Sequence, residues 1–193
     1  MKNYTQHTDR QLVQLFREGE TRAMEILVTR YKNGIFSAIF LLIRDSHLAE
    51  DLFQDTFIKI INTINKGGYA DEGKFLPWAM RIAHNLTIDF LRKEKTKNKK
   101  VISYNYENAG IFITQENAES ETIKSCNHKT INQIIQNLPQ EQREVVVLRH
   151  YGDFSFKEIA EITNCNINTA LGRMRYALVN LRKMMPENID IAA

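Results

Sequence analysis

Residues 153–183 read DFSFKEIAEITNCNINTALGRMRYALVNLRK, and the fold turns on this stretch. Phe154, Ser155, Glu158 and Ile159 stand at N′, N-cap, N3 and N4 of one helix, so a capping box and a hydrophobic staple coincide at its start. The helix is short because Asn164-Cys165-Asn166 interrupts it. Asn tolerates left-handed geometry and also caps helices, so Asn164 turns the chain and Asn166 starts the next helix. The expected unit is helix, tight turn, helix. In its second helix Ala170, Met174, Ala177, Leu178 and Leu181 line one face, while Asn168, Gly172, Arg175 and Tyr176 lie on or near the opposite one, with Arg173 at the boundary. No acidic residue occurs in this second helix. Such a face fits a DNA major groove: amides and guanidinium groups bond base edges, and Arg173, Arg182 and Lys183 neutralise phosphates. The competing reading is a pair of core helices with a solvated basic face.

Upstream, Ile123, Ile131, Ile134, Ile135 and Leu138 restore helical spacing, and Pro139 opens QEQREVVVLRHY, which Gly152 is placed to stop. Near the N-terminus, TDRQ makes a capping box from Thr8 and Gln11, and Gly19 ends that helix. A long core helix is expected next, with Ala23, Ile26, Leu27, Tyr31, Ile35, Ile39, Leu42 and Ile43 near a 3.6-residue period. Ser46 is the expected cap of a third helix with a Leu52, Phe53, Phe57, Ile60, Ile61, Ile64 stripe. After the polar loop NKGGYADEGK, Pro77 suits the first turn of a fourth helix reaching about Lys95, with Trp78, Ile82, Ala83, Leu86 and Phe90 facing inward.

Between the two helical groups lie the basic run RKEKTKNKK and a segment without helical periodicity, in which Val101 to Tyr106 has β-like residues but nothing to pair with. The fold class is therefore all-α: two small helical domains joined by a flexible linker. A four-helix domain occupies 1–95, the linker 96–121, a helix-turn-helix domain 122–186 and a tail 187–193.

Composition bounds the chemistry. With 193 residues, 43% hydrophobic, the chain fills one fair core or two small ones. A net charge of only +3 means that attraction to a polyanion depends on where the bases cluster. The two cysteines, Cys126 and Cys165, form no CxxC pair, so neither zinc nor a disulfide framework is expected, and a reducing cytoplasm fits. The most apolar stretch, IFSAIFLLI, is roughly half a membrane span in length, so no stable membrane insertion is expected. No Gly-rich phosphate loop or nucleophile constellation occurs, and no cofactor, metal or catalytic residue is expected.

Three segments in register, LAEDLFQDTFIKI, GKFLPWAMRIAHNLTIDFLRK and residues 138–183, make the sequence resemble bacterial sigma factors of the sigma-70 family, in the small two-domain extracytoplasmic-function group. The resemblance implies a promoter-melting domain, a linker, and a domain that reads the upstream promoter element. It implies no catalysis, but binding to core RNA polymerase and to promoter DNA, duplex and melted, in the bacterial cytoplasm on the nucleoid. On the first segment Asp51, Gln54, Asp55 and Ile58 share the face opposite the apolar stripe, the surface the family docks on polymerase. Acids beside an exposed Ile suit a basic, partly apolar partner helix. On the second, the "minus ten" strand falls to Lys74, Arg81, His84, Asn85, Arg92 and Lys93, with aromatic faces from Tyr69 and Phe75. Stacking on an unpaired base is worth roughly 1–3 kcal/mol. The "minus thirty-five" duplex falls to Asn168, Thr169, Leu171, Gly172, Arg173, Arg175 and Tyr176.

Pro77 stands where many relatives carry Thr or Ser, and Leu171 and Gly172 replace a common Lys or Arg and a Ser, so promoter preference does not carry over. The resemblance also implies an anti-sigma partner, which no residue identifies. The alternative function is a helix-turn-helix regulator acting as a dimer without polymerase docking.

Overall fold

A computed structural model of the chain describes residues 6–70, 74–97 and 131–185, and every regular element among them is a helix. The first group comprises α1 (Asp9–Arg17), α2 (Thr21–Ile43), α3 (Ser46–Asn65) and α4 (Phe75–Lys97). The second comprises α5 (helical residues 131–136), α6 (Gln140–Tyr151), α7 (Phe156–Ile162) and α8 (Ile167–Met184). Helix α4 runs to Lys97, past the expected boundary at 95. The rest of the expected linker, the 101–106 stretch, Ile123, Cys126 and the 187–193 tail lie outside the described residues.

Side-chain caps start α1, α3, α7 and α8. The Thr8 hydroxyl accepts from the Gln11 amide at 3.3 Å, and the Gln11 side chain accepts from the Thr8 amide at 2.9 Å. Gly19 ends the turn after α1 at φ +98°, a conformation glycine adopts without penalty. The cap of α3 is Asp45 and not Ser46: its carboxylate accepts from the Leu48 amide at 3.0 Å. Arg44, in left-handed geometry, ends α2 and leaves Asp45 extended, and a carboxylate at a helix N-terminus is further favoured by the helix dipole.

Helix α2 organises the first group. It packs against α1, α3 and α4, and buries Ala23, Leu27, Ile35 and Leu41 completely. By length and composition it is apolar enough to cross a bilayer, but Ala23, Met24, Leu27, Ile35 and Ala38 to Leu42 are buried against the rest of the protein. Asp9 ties α1 to it, accepting from the Tyr31 hydroxyl and from Arg30. Burial, then the bond to Asp9, pushes the Tyr31 phenol up to about 12.

Gly152, Asp153, Asn164 and Asn166 set the turns of the helix-turn-helix. Gly152 closes α6 with an ordinary φ of −96°, and it is Asp153 that turns left-handed at +52°. Glycine is needed at 152 for space, because a Cβ there would lie 2.6 Å from the buried Phe154 ring and 2.9 Å from the Leu148 carbonyl. The staple residues Phe154 and Ile159 are 1% and 0% exposed, and Ser155 and Glu158 complete the capping box of α7. Asn164 takes φ +50°, and the Asn166 side chain accepts from the Asn168 amide at 2.8 Å to start α8.

The two groups are joined more closely than separate modules on a strap. Helix α6 lies on α2, and Ala38, Ile39, Leu42, Met80, Ala83, Thr87, Val147 and Leu148 close a seam with no water-sized space.

Gly152→Ala is expected to cost about 1–3 kcal/mol through overpacking, whereas Asn164→Gly is expected to be nearly neutral and Asn164→Val to cost about 1–2 kcal/mol; urea unfolding of the three variants ranks them. A raised phenol pKa means that its stabilisation is complete below pH 10 and lost as pH rises through about 12. Spectrophotometric titration should therefore show one tyrosine ionising last, and Tyr31→Phe should remove that step.

Candidate nucleic-acid interface

Helix α8 presents the face expected to read DNA to solvent. Asn168, Thr169, Leu171, Arg175 and Tyr176 are exposed, while Gly172 and Arg173 are half-buried. Ala170 and Ala177, both fully buried, are the small residues that let α8 sit close on α6 and α7. Nothing lies within 4 Å of where a Gly172 Cβ would stand, so the missing side chain lowers the outer surface at the middle of that face. Leu178 departs from its expected place in the inward stripe: it is 53% exposed, on a flank with Ile167 and Leu171. Its 100° step from the buried Ala177 carries it round the helix edge. In general a guanidinium such as that of Arg175 can bond a guanine edge, an amide such as that of Asn168 an adenine edge, and an apolar side chain such as Leu171 can meet a thymine methyl.

Helix α6 and the loop after it hold α7 and α8 in place. Arg149 donates to the Phe154 carbonyl at 2.8 Å and stacks over the Phe156 ring at 5.6 Å. The Asn180 amide donates to Gln142 at 2.8 Å, tying α8 back to α6.

The second candidate face lies on α4 and the residue before it. Lys74, Arg81, Asn85, Arg92 and Lys93 are exposed, and Arg92 meets Asp89 at 3.7 Å in a solvated pair of the kind worth roughly 0–1 kcal/mol. Three residues expected on this face are inside. Phe75 is 0% and Tyr69 4% exposed. The two rings meet at 6.2 Å, Trp78 stacks on Tyr69 at 4.4 Å, and Tyr31 faces Phe75 at 5.7 Å. Arg17 donates to the Tyr69 carbonyl at 2.6 Å, holding the loop down. Neither ring offers a free face to a base. The signal was present, since Phe75 continues the inward stripe through Ala79, Ile82 and Ala83 at i+4, i+7 and i+8. His84 is also buried, and its Nε2 bonds the Glu144 carboxylate of α6 at 2.7 Å.

The third face is on α3. Asp51, Gln54, Asp55 and Ile58 are all exposed on one side of the helix, Ile58 by 57%. One turn on, Ile61 and Asn65 enter a groove of about 600 Å³ walled by apolar Phe16, Met24 and Val28 together with Gly19, Thr21 and Glu25. No local pattern marks this groove, because it forms between α1, α2 and α3. Ile58, Ile61 and Asn65 fall at i, i+3 and i+7, so strip and groove are continuous.

Residues 27–97 match the sigma-70 region 2 family, and residues 128–179 match sigma-70 region 4. The RNA polymerase sigma-H factor of Pseudomonas aeruginosa is 28% identical over 175 residues, covering 88% of this chain and 90% of that protein. The ECF RNA polymerase sigma factor SigW of Bacillus subtilis is 29% identical over 178 residues, covering 88% and 92%. Among solved structures, the sigma factor RpoE of Bartonella quintana, in complex with the anti-sigma factor NepR, shares the fold with a TM-score of 0.64 at 20% identity, over 86% of this chain and 98% of that one. A region 2 match on α2–α4 does not favour the alternative of a helix-turn-helix regulator that acts without polymerase docking. With both regions matched in order and relatives spanning nearly their full length, the chain belongs to the sigma-70 family, in its extracytoplasmic-function group.

Proposed function

We propose that this chain docks on bacterial core RNA polymerase through α3, reads the upstream promoter duplex through α8 and holds the opened strand along α4. The observation that carries the reading is the pairing, in one chain with both sigma regions, of an acidic and apolar strip on α3 with an acid-free exposed face on α8. Polymerase supplies the chemistry, and this chain supplies the address, in the cytoplasm where polymerase works.

The α3 strip suits a basic amphipathic helix: Asp51 and Asp55 meet cations, Ile58 an apolar residue, and the Phe16–Met24–Val28–Ile61 groove extends the contact. The strand-binding set is Lys74, Arg81, Asn85, Arg92 and Lys93, with Tyr69 and Phe75 supporting the loop from beneath. Cations spaced along a helix track a phosphate backbone, so affinity there depends on charge and falls with salt. An anti-sigma protein, the kind of partner NepR is for RpoE, would compete for these same faces.

Asp51→Lys with Asp55→Lys should abolish association with core polymerase in pull-down while leaving the thermal midpoint unchanged, since both side chains are exposed. Arg175→Ala should weaken promoter duplex binding by about 1–3 kcal/mol and relax preference at one base pair, read by electrophoretic mobility shift across single-base variants. Run-off transcription from genomic fragments with purified core polymerase is the direct test. Loss of neither activity in these variants would overturn the assignment.

A further inference from the structure

Resting on the reading of α8 as the duplex-reading helix, we propose that Gly172 is the floor of a hollow that takes the C5 methyl of a thymine, which makes it a specificity-determining position of the chain. One promoter base is then chosen by shape at the middle of the face, and its neighbours by hydrogen bonds on either side.

Nothing packed against α8 requires a glycine at 172. The residue keeps an ordinary helical φ, since the glycines with positive φ are Gly19 and Gly67. No atom lies within 4 Å of where its Cβ would stand. Gly152 is the opposite case, with the Phe154 ring 2.6 Å from the Cβ position. A glycine inside an 18-residue helix is destabilising relative to alanine or leucine, and here either would fit. The room left by the missing side chain therefore opens outward, to whatever lies on α8. Gly34 of α2 stands in equally open space, so the glycine alone carries nothing and its surroundings decide.

Those surroundings match one group of the major groove. Residues three and four places apart on a helix are neighbours, which sets Asn168 and Thr169 one turn before Gly172, and Arg175 and Tyr176 one turn after it. All four are exposed, Tyr176 by 65%, and Leu171 next to the glycine is 43% exposed. The rim thus offers a methyl, an aromatic ring and an isobutyl group beside one amide and one guanidinium. At the floor the backbone N–H and C=O are spent within the helix. Base pairs present donors, acceptors and a single apolar group in the major groove, the thymine methyl. A floor with no free polar group cannot bond the donors or acceptors, and it has room for the methyl.

The test uses holoenzyme formed from the full chain and core polymerase, on a promoter defined by run-off transcription. Each thymine upstream of the start site, on both strands, is replaced in turn by deoxyuridine, which lacks only the methyl, and affinity is read by mobility shift. At one position affinity should fall about fourfold, the effect of returning one carbon to water. Gly172→Leu, which fills the hollow, should abolish that difference. Leucine is a better helix former than glycine, so the thermal midpoint of the variant should not fall, and a lost methyl effect is not lost folding. Absence of any methyl-sensitive thymine would overturn the proposal, and is the result expected if water bridges the hollow to the bases. A methyl effect of the same size in Gly172→Leu would overturn it too, by placing the contact elsewhere on the face. Run-off transcription separates the two ideas: transcription with either of those results rejects the hollow alone, while no transcription from any fragment rejects the sigma-factor reading and the hollow with it.

Discussion

The burial of α2 is the constraint on which the rest depends. A helix of 23 residues with apolar side chains on several sides cannot be satisfied by one neighbour, and here α1, α3, α4 and α6 each take a share. Removing apolar surface from water supplies most of the favourable free energy of folding, about 25 cal/mol per Å², and directs where neighbouring helices can go. Once α3 and α4 have laid their stripes on α2, their opposite faces are necessarily the polar ones. The acidic strip around Asp55 and the cationic positions Arg81, Arg92 and Lys93 are exposed as a consequence. The end of α2 that remains, Ala38 to Leu42, is what receives α6.

Features written in a few adjacent residues were legible beforehand. Both capping boxes, the staple of Phe154 on Ile159, the left-handed Asn164 and the Asn166 cap follow from spacing and side-chain chemistry, because each involves partners within five residues. Asp45 replaced Ser46 as a cap because Arg44 turns left-handed one residue earlier, and two adjacent capping residues read alike until the turn is known. Gly152 stops α6 where its position in the sequence suggests, but for room beside Phe154 rather than for a positive φ, and that crowding is a tertiary fact.

What failed to be legible depended on long-range contact. Tyr69 and His84 have the composition of a strand-binding surface, yet Trp78 and Glu144 pack against them, whereas the burial of Phe75 is readable from its place in the inward stripe of α4. Aromatic and imidazole side chains serve a core as well as a nucleic acid, and only the partner decides. The residues of that set which remain exposed are the ones that a core rarely accepts without a partner: Lys74, Arg81, Asn85, Arg92 and Lys93. The groove beside Ile61 was invisible for the same reason, since its walls come from three helices.

The placement of α8 rests on contacts made inside a short window. Ser155, Glu158, Asn164 and Asn166 set its entry, Ala170 and Ala177 its seating, and Asn180 its tie to Gln142, all between residues 142 and 180. A segment so defined behaves as an interchangeable cartridge. Descendants of one ancestral gene can swap or drift in this window and acquire a new set of target genes while the polymerase-facing helix, far away in sequence, stays under its own separate selection.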